Sequence, residues 1–98
     1  MKYAKREDYI NIADEYNQKN GRQTILLEPR KFCDKAILGV VETNGGMRIA
    51  YSRTKFVLGL MKSNGWTSDE AVEWYEYKTL RALPYMESEG LSPLMVED

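Results

Sequence analysis

Asn44-Gly45 stands between two apolar runs, residues 36–42 and 47–51. An Asn-Gly pair flanked in this way is the strongest short-range signal for a two-residue hairpin. Its type I′ turn needs positive φ at both central positions, which Asn and Gly adopt most readily. A turn centred there pairs Glu42 with Met47, Val40 with Ile49 and Leu38 with Tyr51. Leu38, Val40, Met47, Ile49 and Tyr51 then share one face, and Ile37, Gly39 and Val41 lie with Arg48 and Ala50 on the other. The first strand is apolar on both faces and the second mainly on one, which predicts an interior first strand with a further strand on its free side.

Helical sequence follows directly. Ser52 caps a helix over residues 53–64, in which Phe56, Val57, Leu60 and Met61 form the apolar stripe, Lys55 and Lys62 face water, and Asn64-Gly65 makes the stop. Leu58 falls off the stripe. Thr67 and Glu70 form a capping box that opens another helix, residues 68–83, with Pro84 as its end. Upstream, Tyr9, Ile12, Ala13 and Tyr16 recur at helical spacing opposite Asp14, Glu15 and Gln18. They predict an amphipathic helix from about Lys5 to Asn20, stopped at Asn20-Gly21. Residues 24–27 form a short edge strand or extended segment closed by Glu28-Pro29. In the tail, Leu94-Met95-Val96 adds a strand or lies in a groove, with Glu97 and Asp98 in solvent. The expected fold is α+β: one domain over residues 1–98, with a small, mainly antiparallel sheet of three or four strands and about three helices packed on one face. Its 98 residues suffice for one core without cross-links.

Composition then excludes function classes. Fourteen basic and fifteen acidic side chains are mixed along the chain for a net charge of −1, so no global field recruits nucleic acid or an anionic membrane. Neither is expected as a partner. Cys33 is the sole cysteine, so an intrachain disulfide and a four-thiolate zinc site are excluded. Histidine is absent, which removes the commonest general base near neutral pH and the commonest zinc ligand. Residues 1–8 contain no apolar core of signal-peptide length and no later run spans a bilayer, so the expected location is the cytoplasm. No cofactor motif is visible and no cofactor is expected.

On a helical wheel of residues 68–83, Ala71, Val72, Tyr75, Thr79, Ala82 and Leu83 form the core face. Trp74, Tyr77 and Arg81 fall opposite, with Leu80 at the margin. Trp, Tyr and Arg dominate interface hot spots because they bury much area and keep a polar handle, so this face is the candidate partner-binding surface. Alternatively, the helix lies between the sheet and another element and buries both faces. Self-association is the commonest cover for such a face, and a homodimer is the expected assembly. A second candidate is a ligand or nucleotide site where Arg48 or Arg53 approaches Tyr51 or Tyr85. Cys33-Asp34 lacks a histidine to activate the thiol, for which the nearby Lys31 and Lys35 are a weak substitute, and fits a small, partly buried side chain. Glu70, Glu73 and Glu76 step round the helix as a solvated face. Gly45-Gly46 belong to the hairpin and not to a phosphate loop. Arg48, Arg53, Lys55 and Lys62, among mixed acids, fit a solvated basic face.

One pattern extends beyond single residues. Asp34-Lys35-Ala36-Ile37-Leu38-Gly39-Val40-Val41-Glu42, Ile49-Ala50-Tyr51-Ser52, Leu60-Met61 and Glu70-Ala71-Val72-Glu73-Trp74-Tyr75-Glu76-Tyr77 occur in this order. This resembles a family of short, functionally uncharacterised proteins encoded by tailed bacteriophages and prophages. In those proteins a strand with an aliphatic-Gly-aliphatic-aliphatic-Glu pattern is paired with a Tyr-ended strand and followed by a helix and an acidic-aromatic helix. The resemblance covers roughly the central half of the chain and part of the tail. Lys78 stands where family members carry Asn or another polar residue, and Cys33 and the N-terminal helix lie outside the match. The resemblance implies a setting, the cytoplasm of an infected bacterium, and a mode, stoichiometric binding of a host protein, nucleic acid or signalling molecule. It brings no catalytic residue or cofactor. The expected function is a small non-enzymatic interaction module or inhibitor of a host factor; the alternative is a small-ligand or nucleotide-binding protein.

Overall fold

The computed structural model describes residues 6–98. The hairpin turns at Asn44-Gly45 as expected, but the expected type I′ geometry is corrected: neither residue has positive φ, which falls instead on Gly46 at φ +140. Strands β1 (Ile37–Thr43) and β2 (Gly46–Ser52) pair antiparallel, with Glu42 opposite Met47 and Val40 opposite Ile49. Towards the far end the register shifts: a bulge at Leu38 places Ile37, not Leu38, opposite Tyr51. The extra residue turns Ile37 into the core and leaves Leu38 42% exposed, so the expected place of Leu38 on the Tyr51 face is corrected.

The first strand is not interior either. β3 (Leu94–Val96) pairs parallel with β2, Ala50 beside Leu94 and Ser52 beside Val96, which gives the order β1-β2-β3. β2 is the central strand and buries Ile49, Ala50, Tyr51 and Ser52. The apolar side chains that suggested an interior β1 instead face solvent at Leu38 and Val41. The tail adds a strand, and the fold is a small α+β domain with a three-stranded, mainly antiparallel sheet.

Helix α1 (Arg6–Lys19) buries Ile10, Ala13 and Asn17, whereas Ile12 is 44% exposed, so the expected stripe is rotated. Lys5, the predicted start, lies outside the described residues. Asn17 explains the rotation. Its Nδ2 donates to the Met47 carbonyl (2.8 Å) and to Thr24 Oγ1 (2.8 Å), and its Oδ1 accepts from the Met47 N–H (2.9 Å). With these bonds made, a polar side chain is buried at little penalty, and apolar periodicity alone does not detect it. Gly46 beside it has φ +140, and a β-carbon there would stand 2.5 Å from Leu91 Cδ1 and 2.6 Å from Asn17 Oδ1. Residues 24–27 are extended, with one parallel bridge from Thr24 to the buried Leu91. A short helix α2 (Arg30–Cys33) and a 3-10 turn (Asp34–Ala36), neither anticipated, lead into β1.

Helix α3 (Arg53–Asn64) follows the sequence signals closely. Ser52 Oγ accepts from the Lys55 N–H, Gly65 is left-handed, and Phe56, Val57 and Leu60 are buried. Its first turn carries no acid. Asp98 supplies one from the tail: Oδ1 accepts from the Thr54 N–H (3.0 Å) and Oδ2 from Ser52 Oγ (2.6 Å). The Ser52 hydrogen bond, followed by that from Thr54, holds the Asp98 carboxyl below its ordinary value. Glu97 accepts from the Tyr75 hydroxyl (3.1 Å) and lies 3.6 Å from Arg53 Nε. The two acids are exposed, as expected, yet both are bonded and not simply solvated.

Helix α4 (Ser68–Trp74) opens with the predicted capping box. Thr67 Oγ1 accepts from the Glu70 N–H (3.2 Å), and Glu70 Oε1 accepts from the Thr67 N–H (2.9 Å). The chain then runs without a break through a π turn (Tyr75–Leu80) into helix α5 (Arg81–Glu87). Pro84 therefore lies inside a helix and does not end one. Among the described residues no helix is long and apolar enough to cross a membrane.

Arg48 joins β2 to α5 and to the approach to β3. Its side chain is 14% exposed. Nη1 and Nη2 donate to Glu87 at 2.6 and 2.7 Å, Nη1 also to the Ser92 carbonyl (3.0 Å), and Nε to Thr43 Oγ1 (3.1 Å). The Arg48 hydrogen bonds, with the Ser92 N–H behind them, hold the Glu87 carboxyl down at about 2 from an ordinary 4.5. A depressed carboxylate stabilises the fold above its unfolded pKa and loses that effect as pH falls through the folded one. The contribution of Glu87 should therefore be complete above about pH 4.5 and withdrawn towards about pH 2. Because Glu87 is partly exposed, Glu87→Gln should cost only about 1 kcal/mol at neutral pH, and the gap to wild type should close on acidification. Urea unfolding of both chains across this range is the check; a gap independent of pH would refute the assignment.

Candidate functional site

A row of rings runs from the core to the surface. Phe56, 2% exposed, has its ring centroid 5.7 Å from Tyr75, 6.1 Å from Phe32 and 6.5 Å from Trp74. Trp74 continues the row to Trp66 at 6.3 Å, with the planes tilted by 44°. Local sequence sets each ring. Trp66 lies between the left-handed Gly65 and the capping residue Thr67, and its N–H donates to the Met61 carbonyl (3.1 Å). Trp74 is the last residue before the π turn. Phe32 of α2 faces Gly59 of α3, where a β-carbon would stand 3.0 Å from its ring, a tight fit.

Trp66 and Trp74 are both half-buried and form a ridge between two concavities. The first, about 540 Å³, is lined by Phe32, Leu60, Asn64, Trp66 and Trp74, and its charged lining residues are Lys31 and Lys35. The second, about 360 Å³, is lined by Trp66, Trp74, Tyr77, Lys78, Glu70 and Glu73. The ridge thus separates a cationic hollow from a largely anionic one. Beyond the second, Tyr77 is 57% exposed, and the Arg81 guanidinium carbon lies 4.9 Å from its ring centroid.

The four predicted partner-binding residues therefore divide. Tyr77 and Arg81 stand together at the surface, while Trp74 and Leu80 are partly buried against the core. A wheel drawn for an ideal α-helix cannot show this, because each residue of a π turn advances less about the axis. The rest of the wheel is as expected in that Ala71, Tyr75 and Thr79 are buried.

The second predicted set serves separate contacts. Arg48 is bound to Glu87. Tyr51 is in the core, its hydroxyl accepting from the Leu27 N–H (3.0 Å), and burial pushes its phenol up to about 12. The Arg53 guanidinium lies 5.5 Å from the Tyr75 ring centroid, and Tyr85 is 78% exposed. Cys33 is buried, and its thiol is pushed up to about 12, first by burial and then by the charges of Asp34 and Glu28, so it stays protonated at neutral pH. Glu73 and Glu76 are exposed, and among the described residues no group of His, Cys, Asp and Glu could hold a metal ion.

Sequence reasoning did not single out Trp66 or Phe32, and it weighed Lys31 and Lys35 only as neighbours of Cys33. One signal for Trp66 was present: a large aromatic residue between a helix stop and a capping box is far more apolar than a short connection requires. No family model, curated protein or solved structure matches the chain.

Proposed function

We propose that the protein is a non-enzymatic binding module that engages a partner protein through the surface made by Tyr77 and Arg81 beside the Trp66–Trp74 ridge. The observation that carries this is the exposed Tyr77 ring under the Arg81 guanidinium, next to half-buried indoles. Such a cluster offers large rigid contact area with a polar rim, the composition of an interface hot spot. The resemblance to phage-encoded proteins supplies the partner class, a host protein in the bacterial cytoplasm, and inhibition by stoichiometric binding supplies the mode. A second copy of the chain is the competing occupant of the same face, as the expected homodimer.

Tyr77→Ala and Arg81→Ala test this cleanly, because neither side chain is part of the core. Each should leave folding stability within about 0.5 kcal/mol of wild type. Each should also weaken association by about tenfold or more, as truncation of a hot-spot residue does. Affinity capture from bacterial lysate reads the host-protein arm, and light scattering of the purified chain reads self-association. Undiminished association of both variants in both assays would refute the proposal. Trp74→Ala is the wrong probe, since it also removes a ring packed on Phe56.

A further inference from the structure

We infer that the hollow on the lysine side of the Trp66–Trp74 ridge is a binding site for a small phosphate that carries a planar ring, a mononucleotide in chemical class. Its volume of about 540 Å³ lies within the range of small-ligand sites. Its walls are Phe32, Trp66 and Trp74, each packed on the core by one side and lining the hollow with the rest. Phe32 is packed on the core, its ring centroid 6.1 Å from that of Phe56, so this wall belongs to the fold itself. Aromatic side chains stack on any base, because every base has a π face.

The charges select an anion. Lys31 and Lys35 are the charged lining residues, both are exposed, and neither forms an ion pair with a described acid. The nearby Asp34 carboxylate is bound by Arg30 at 2.9 Å, which leaves the lysines unneutralised. Ammonium groups on flexible stems are point-charge partners for phosphate. Asn64 donates Nδ2 to the Leu60 carbonyl (3.0 Å), so its Oδ1 remains an acceptor at the rim for a ring N–H. The small-ligand alternative thereby moves from Arg48, Tyr51, Arg53 and Tyr85 to this hollow. It stands independently of the protein-binding face, which lies on the other side of the ridge.

The chain has two tryptophans and both line the hollow, so intrinsic emission reports on it directly. The purified chain is titrated with AMP, GMP, CMP and UMP, and separately with adenosine and with inorganic phosphate. At least one mononucleotide should change the emission saturably, while adenosine and phosphate alone bind about tenfold more weakly or worse. Lys31→Gln combined with Lys35→Gln should weaken the mononucleotide by about tenfold or more at an unchanged melting temperature. The combined Tyr77→Ala and Arg81→Ala chain should bind it as wild type does, which separates this site from the protein-binding face. A flat response to all four mononucleotides, adenosine binding as tightly as AMP, or full binding by the double lysine variant would overturn the inference.

Discussion

Phe56→Ala should be the most damaging single truncation in the chain, with a loss of about 4 kcal/mol in urea unfolding. The residue is 2% exposed, and its ring meets those of Phe32, Trp74 and Tyr75. Truncation removes both the buried hydrocarbon and the common neighbour of three rings, and rings held by two separate helical segments cannot all collapse into the space left behind. A domain of this size has only about 5–15 kcal/mol in total, so this one truncation removes a large share of its stability. Trp74 would lose its core-side neighbour, and its emission should shift along with the stability. Phe56→Leu, which keeps most of the volume, should cost less than half as much. A loss below about 1 kcal/mol for the alanine variant would mean that the rings pack around something other than Phe56.

Asn17→Leu is the second large effect, and its cause is polar. The substitution keeps the approximate volume and adds apolar surface, which a purely hydrophobic account would favour. It should nevertheless cost about 3 kcal/mol. The N–H and carbonyl of Met47 would both lose their partner beneath a side chain that cannot hydrogen-bond, and Thr24 Oγ1 would lose its donor. Hydrogen exchange gives a local readout: the Met47 amide should lose protection by more than the global destabilisation explains. A neutral or stabilising result would show that the amide is accommodated by the fold without supporting it.

Much of this fold was legible because its signals are local. The place of the Asn44-Gly45 turn, the Ser52 cap, the Gly65 stop and the Thr67–Glu70 box each concern groups within about four residues of one another, and each formed where expected, although the turn takes its positive φ at Gly46 and not in the type I′ form. What was not legible depends on distant partners. Asn17 looks like a polar surface residue until β2 lies beside it. The bulge at Leu38 depends on which of two apolar neighbours fits the core. The central position of β2 depends on a tail strand that a hairpin pattern does not announce. The π turn leaves no mark in hydrophobic spacing, yet it separates Trp74 from Tyr77. The candidate site was half legible for the same reason: residue types pointed to the aromatic helix, but the hollow with Phe32, Lys31 and Lys35 is assembled from segments that adjoin only in space.

The clasps on the tail also bear on how this protein keeps its strands to itself. Arg48 and Glu87 are 39 residues apart in sequence, and Ser52 and Asp98 are 46 apart. Contacts across such long loops can open without breaking the local bonds of the hairpin or of α3. Each time β3 lifts away, β2 presents an unpaired edge at Ala50, Tyr51 and Ser52. An open edge of this kind is a template for a strand from another molecule. The carboxylates that hold the tail therefore keep this strand edge covered as well as stabilising the fold, and protonation of Glu87 in acid removes one of those holds.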